Sequence, residues 1–257
     1  MKKNIAVVIL AAGHGKRLGG KEQKTIKNIL GKSIIGHLIE TIKKLNPTKI
    51  IVIVGFRKED VINAVGDEKV EFVEQHEILG TANAVSQAEK NLKNFNGRII
   101  VLCGDAPFIS LETLKTLIVQ NANNSASCTI LTAKFENPTG YGRIKRDPIN
   151  NVIKIVEEAN ADNDEKKIKE INTGVYIFDK NDLFQKLHFI KPDPVKKEYL
   201  LTDIIELLYK TGKKVTTYVT GNPEETIGIN TFTDFKKAEE YYMGRAQWNT
   251  DSLEEAD

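Results

Sequence analysis

Val7–Ile26 reads VVILAAGHGKRLGGKEQKTI, a β-branched apolar run that breaks abruptly into glycines and cations. Gly13, Gly15, Gly19 and Gly20 stand beside Lys16, Arg17, Lys21 and Lys24. A buried strand that ends in glycines lets backbone N–H groups approach anionic oxygens closely, while the flanking cations supply countercharge. Arg17 can hold two oxygens at once; Lys24 acts as a point charge. Two familiar phosphate loops fail here. A dinucleotide fingerprint needs glycine three places after Gly15, where Leu18 stands. A P-loop fits from Gly15 to Lys21 but meets Glu22 where a magnesium-binding hydroxyl belongs. The stretch is a phosphate-binding candidate of another kind, with a glycine turn and solvated cations as its plain alternative.

The surrounding chain has the rhythm of an α/β protein. IAVVIL, KIIVIVG, VEFVEQ and GRIIVLCG read as strands, and SIIGHLIETIKKL, KEDVINAVG, GTANAVSQAEKNLKNF and SLETLKTLIVQNA read as helices between and after them. Ser110 is the N-cap expected for the last helix. Near-continuous apolar strands separated by amphipathic helices predict an α/β fold with a mostly parallel sheet covered on both faces, and with ligands beyond the carboxyl ends of its strands. From about Ser127 the rhythm changes. CTILTAKF, GRIKRD, NVIKIVEE and KEINTGVYIFD are strands with few helices between them, which predicts a smaller mixed or antiparallel lobe. Helices return in DLFQKLHF, LTDIIELLYKTG and TDFKKAEEYYMGRA, around the strand KKVTTYVTG; the terminal NTDSLEEAD is polar and expected to fray. The polar run NADNDEKK, 160–167, reads equally as a connector or a lid.

Composition bounds the function. A chain of 257 residues with 40% hydrophobic and 28% charged residues can bury a sizeable core. Its net charge of +2 gives no case for nucleic acid or an anionic membrane surface, so an anion site has to be local. Cys103 and Cys128, the only cysteines, sit in apolar runs and read as small buried hydrophobes. The apolar N-terminal run is short and passes directly into Gly-Lys-Arg, so it reads as a first strand; the expected setting is the cytoplasm, with no membrane partner.

A second unusual cluster follows a buried strand, in LCGDAPFI. Asp105 there can hold Mg²⁺, a hard cation suited to carboxylate and phosphate oxygen. Read alone it is as readily a turn or cap residue. The four histidines form no evident cluster, and His14 is read as a loop residue rather than a phosphate contact.

LAAGHGKRL, EQHEILGTANAV, LCGDAPFI, NPTGYGRI, KIVEE, KEINTGVYIF, EYLLTDII and IGIN occur in the order found in sugar-phosphate nucleotidyltransferases. Across residues 5 to about 235 the chain resembles that family, and within it the uridyltransferase domains of bacterial N-acetylglucosamine-1-phosphate uridyltransferases. The resemblance implies a nucleotidyltransferase domain over 1–235, with a Rossmann-like nucleotide-binding half to about 126 and a smaller, mixed or antiparallel sugar-binding half from about 127; beyond it a C-terminal helix and acidic tail are expected over 236–257. It implies transfer from UTP to a hexosamine 1-phosphate, giving UDP-sugar and pyrophosphate, with Mg²⁺ as cofactor. Arg17 and Lys24 would neutralise the reacting phosphates, and Ala11, Ala12, Gly13, Gln75, Gly80 and Thr81 would bind the nucleotide. Asp105 and Asn230 would hold the metal, and Gly140, Glu157, Asn172 and Thr202 the sugar. The same chemistry on another sugar 1-phosphate or a phosphorylated alcohol is an alternative, as is a nucleotide-sugar sensor without turnover.

Three positions depart from the family pattern. Gln23 stands where a proline usually precedes the lysine, Glu158-Ala159-Asn160 replace a basic run, and Leu200 replaces an aromatic. No isoleucine-rich hexapeptide periodicity follows residue 235, so neither acetyl transfer nor the trimerisation it accompanies is expected; monomer and dimer both stay open.

Overall fold

The computed structural model describes residues 4–14, 23–66, 68–229 and 232–254, with side chains of the last helix described as far as residue 243. Its strands are β1 (Ile5–Ala11), β2 (Asn28–Ile29), β3 (Lys32–Ser33), β4 (Lys49–Val54), β5 (Glu71–Glu74), β6 (Arg98–Cys103), β7 (Cys128–Lys134), β8 (Arg143–Arg146), β9 (Val152–Val156), β10 (Glu170–Asp179) and β11 (Val215–Val219). The helices are α1 (Ile34–Lys43), α2 (Lys58–Val65), α3 (Thr81–Ser86), α4 (Leu111–Asn123), α5 (Lys180–Leu187), α6 (Ile204–Lys210) and α7 (Phe232–Glu254).

Period-2 alternation along the central strands explains the layering. Ala6 and Val8 of β1, Ile51 and Ile53 of β4, and Ile99 and Val101 of β6 enter one core with Val85, Leu183 and Ile204. Their neighbours Val7 and Ile9, Val52 and Val54, and Ile100 and Leu102 enter a second core with Leu38, Val61 and Leu117. Strands buried on both faces carry no polar alternation, which is why they read as unbroken apolar runs.

The strand order is β11-β7-β10-β6-β1-β4-β5, with the β8–β9 hairpin joined to the side of β10. β1 runs parallel to both β4 and β6, and β4 parallel to β5. β10 is antiparallel to β6 and to β7, whereas β11 is parallel to β7. The strands of the later half thus extend the same sheet. Chain order reverses at β1, whose neighbours β4 and β6 lie on opposite sides, and this creates a crevice at the carboxyl ends of the strands.

Local signals hold at the helix starts: Ser33 accepts from Gly36 N, and Ser110 from Thr113 N. Two expectations are corrected. The helix expected over residues 80–95 is α3 alone, followed by turns in which Gln87, Ala88 and Glu89 each donate to the residue three before. Val85, Ala88, Leu92 and Phe95 are still buried, so the apolar period survives a change of hydrogen bonding that the sequence does not reveal. At the C-terminus the α7 backbone stays helical through 249–254, where no proline interrupts it.

A strip of backbone hydrogen bonds ties the two halves together. Tyr199 N donates to Leu79 O at 2.7 Å and Ala82 N to Tyr199 O at 2.9 Å, while Leu201 N donates to Thr81 Oγ1. Gly80 lies inside this strip at φ +108°, and a Cβ there would stand 2.6 Å from Tyr199 O. Gly80→Ala combines a left-handed backbone with a backbone clash, and should lower the unfolding free energy by at least about 2 kcal/mol in urea titration. An unchanged midpoint would contradict this reading of the strip.

Candidate functional site

The crevice beside β1 is a cavity of about 470 Å³. Its walls include Ala11, Ala12, Gly13, Lys24, Gln75, Gly80, Thr81 and Asp105, so eight of the residues singled out in the sequence meet at one place. Arg17 and Asn230 lie outside the described residues. Ile229 N donates to Asp105 O at 2.9 Å, so Ile229 lies alongside Asp105.

At one end of the cavity Lys24 and Asp105 form an ion pair. Asp105 follows β6 through Gly104, whose N–H donates to Leu10 O at 2.9 Å and fixes the strand end against β1. Lys24 opens a short 3₁₀ turn, Lys24–Ile26. Gln23 precedes it, 1% exposed, and its Nε2 donates to Phe56 O at 2.8 Å and Ala11 O at 3.3 Å. A proline fixes φ at this place; Gln23 instead clamps the carbonyls beyond β1 and β4 with the two hydrogens of one amide. Thr25 lines the same wall, with its buried Oγ1 carrying no hydrogen-bond partner.

At the other end stands Gln75, 3% exposed, whose Nε2 donates to Gly80 O at 3.0 Å and Asn83 Oδ1 at 2.8 Å. Both amide hydrogens are used, so Oε1 is the atom that can accept from a ligand. His14 also lines the cavity, its ring 4.6 Å from that of Phe56.

Cys103 corrects the buried reading: it is partly exposed and forms part of the wall. Desolvation, with the charge of Asp105 adding to it and that of Lys24 opposing it, pushes its thiol up to about 12. It is not a nucleophile at neutral pH. Cys128 is buried as expected.

Beyond Cys103 the surface continues into the later half, because a Cβ at Gly174 would lie 3.7 Å from Cys103 Sγ. Asn172, at a bulge in β10, donates to Tyr176 Oη at 2.8 Å and accepts from Gly174 N at 3.2 Å. Thr202 Oγ1 donates to Glu157 Oε1 at 3.1 Å. A Cβ at Gly142 would sit 3.5 Å from Asn172 Cβ and 3.7 Å from Glu157 Oε1, so Gly142 completes this group. Gly140 is exposed at φ +88° and donates to Glu158 Oε2 instead.

The departures acquire structural roles. Glu158 accepts at 2.6 Å from Arg143 Nη2; Arg143 is 1% exposed, and its guanidinium holds the Glu158 carboxyl below its ordinary range. Leu200 is buried. In the loop 160–167, Asp162 Oδ1 accepts from Asp164 N and Glu165 N, and buried Glu165 pairs with Lys145 at 2.7 Å. These bonds favour the connector reading. Asp203 is raised to about 6 by burial first, then by the charges of Asp193, Glu157 and Glu206, with Lys196 opposing.

The chain is similar to known proteins in sequence and in fold. The sequence profile described as nucleotidyl transferase matches residues 6–242. The bifunctional protein GlmU of Bacillus licheniformis is 43% identical over 245 residues, covering 95% of this chain and 53% of its own. That of Bacillus subtilis is 41% identical with the same coverage. The chain therefore spans about half the length of the curated relatives it matches. Among solved structures, a putative glucose-1-phosphate thymidylyltransferase from Bacillus anthracis aligns with a TM-score of 0.73 at 22% identity, covering 92% of this chain and 94% of that one. HddC from Yersinia pseudotuberculosis, complexed with GMP-PN, aligns at 0.68 with 24% identity, covering 92% and 99%. At these identities the structural likeness is one of fold.

Two outcomes are expected. Gln23→Glu keeps the shape but faces two carbonyls with an acceptor, and should cost about 2–4 kcal/mol in chemical unfolding; a loss within about 0.5 kcal/mol, typical of surface changes, would contradict the clamp. Asp203 binds its proton more tightly folded than unfolded, so its contribution to stability falls as pH rises from about 4 through about 6. Asp203→Asn should therefore raise Tm more at pH 8 than at pH 4, and equal gains at both would count against the raised carboxyl.

Proposed function

The chain belongs to the nucleotidyl transferase family, and from that premise we propose that it transfers a uridylyl group from UTP to a hexosamine 1-phosphate, N-acetylglucosamine 1-phosphate in the first instance. The observation that carries this reading is the cavity itself, with the Lys24–Asp105 pair at one end and the oriented Gln75 amide at the other. The identity with bifunctional GlmU proteins over half their length supports it.

In this reading an N3–H of uracil donates to Gln75 Oε1. Cytosine has no hydrogen at that nitrogen, so a buried acceptor discriminates against it. Gly80 and Thr81 close the base site, and Ala11, Ala12 and Gly13 meet the nucleotide with small side chains and backbone. Lys24 lies where triphosphate charge accumulates, and Arg17 is assigned the same task by its place in the sequence. A phosphate oxygen of the sugar 1-phosphate attacks the α-phosphorus, the bond to the bridging oxygen of pyrophosphate breaks, and pyrophosphate leaves. The acceptor is already an anion, so no protein base is needed; the protein aligns two anions and neutralises their charge.

The donor chemistry at Asp105 suits Mg²⁺, which is commonly held by one or two carboxylates with substrate phosphates and water completing its shell. Asp105 and, by its position, Asn230 would hold it, and when bound it supplies countercharge to the phosphates. Glu157, Asn172 and Thr202 are assigned to the sugar hydroxyls, with Gly140 in the adjoining turn. A different sugar 1-phosphate is the second reading, favoured by Glu158 and Leu200, which depart from the family pattern in the acceptor half.

Pyrophosphate release should follow mixing with UTP, Mg²⁺ and N-acetylglucosamine 1-phosphate, stop on chelation, and resume on adding Mg²⁺ back. Lys24→Ala should slow it by about a hundred- to thousandfold, the value of roughly 3–4 kcal/mol of lost charge stabilisation. No turnover of UTP with any hexose 1-phosphate would sink the proposal.

A further inference from the structure

The strip that joins the two halves continues into a turn whose cation reaches the acceptor side. Asp193 is 5% exposed, and its Oδ1 accepts from Val195 N at 2.9 Å and Lys196 N at 2.6 Å. Its Oδ2 accepts from Asn160 Nδ2 at 2.6 Å, which fastens the turn to the loop after Glu157. Lys197 completes the reversal at φ +57°, and Asp193 N donates to Glu198 O at 2.8 Å. The turn is built from both sides, and it delivers Lys196 Nζ to 2.7 Å from Glu157 Oε2.

Each oxygen of Glu157 is thereby engaged, one by Lys196 and the other by Thr202. The lysine side chain is 39% exposed and that of Glu157 19%, so the pair adds little to stability. Its consequence is electrostatic. The charges of Asp193, Glu157 and Glu206 raise Asp203 beyond what burial does, and that of Lys196 opposes them. Without Lys196 the Glu157 carboxylate loses its ion-pair partner, and the surface assigned to the sugar becomes more anionic.

Resting on the acceptor reading above, we infer that Lys196 sets the charge selectivity of the acceptor site, favouring a hexose 1-phosphate with a neutral C2 substituent over one with a free ammonium. An acetamido or hydroxyl group can bond to the Glu157–Thr202 pair without disturbing the lysine. An ammonium competes with Lys196 for the same carboxylate and meets its repulsion at close range. Removing the lysine frees Glu157 Oε2 to pair with the ammonium.

The experiment measures kcat/KM with UTP for N-acetylglucosamine 1-phosphate and for glucosamine 1-phosphate at neutral pH, where the free amine is protonated. It compares the unaltered chain with Lys196→Met and Lys196→Arg. Lys196→Met should shift the ratio at least about tenfold toward the amine, in keeping with one charge removed at contact distance, and leave the KM for UTP unchanged. Lys196→Arg should hold the original ratio. An unmoved ratio in Lys196→Met overturns the inference. So does an equal loss for both acceptors, which would make Lys196 an anchor for the phosphate they share. An unaltered chain that turns over neither acceptor overturns the acceptor reading and this inference together, whereas active turnover with an unmoved ratio overturns the inference alone.

Discussion

The ion pair between Lys24 and Asp105 is the contact on which the site depends. The two residues are 81 apart in sequence, and they meet because β1 and β6 are parallel neighbours that end at the same edge of the sheet. Their side chains are only 23% and 12% exposed, so either charge alone would be costly to hold there. Paired, they give a balanced site in which a cation and an anion wait at the place where phosphate and metal charges of opposite sign would enter. In the proposed reaction Lys24 would hold a phosphate and Asp105 would hold Mg²⁺, so that neither charge would be left bare. Gln23 on one side and the Leu10–Gly104 backbone bond on the other keep the pair in register with the strand ends.

The continuous sheet sets the distance between base and acceptor. β10 pairs with β6, so the bulge that presents Asn172 follows directly from the strand that presents Asp105. The backbone strip through Gly80 and Tyr199 makes a second bridge on the opposite wall, and it runs on through Glu198 to the turn carrying Lys196. The proposed base pocket and acceptor surface are thus joined by one strip of backbone hydrogen bonds.

Much of this was legible in the sequence because strand ends leave strong local marks. The apolar run before Gly13, the Gly-Asp after β6 and the Ser110 cap are such marks, whereas Gln75 stood out only through the family resemblance. What escaped is carried by partners without a sequence signature. Gln23 binds backbone carbonyls of Ala11 and Phe56, and any residue supplies a carbonyl. Glu158 looked like a loss of basic charge until Arg143 was found buried behind it. Lys196 carries no signal in the sequence, since its contact with Glu157 depends on how the Asp193 turn is fastened. The end of α3 escaped because turns and helix bury the same apolar positions there.

The most direct test is a crystal structure of the chain with UTP and Mg²⁺. The account predicts uracil against Gln75 Oε1, the triphosphate running to Lys24, and Asp105 released from the lysine to the metal. A nucleotide bound outside this cavity, or with its base at the Lys24 end, would contradict it.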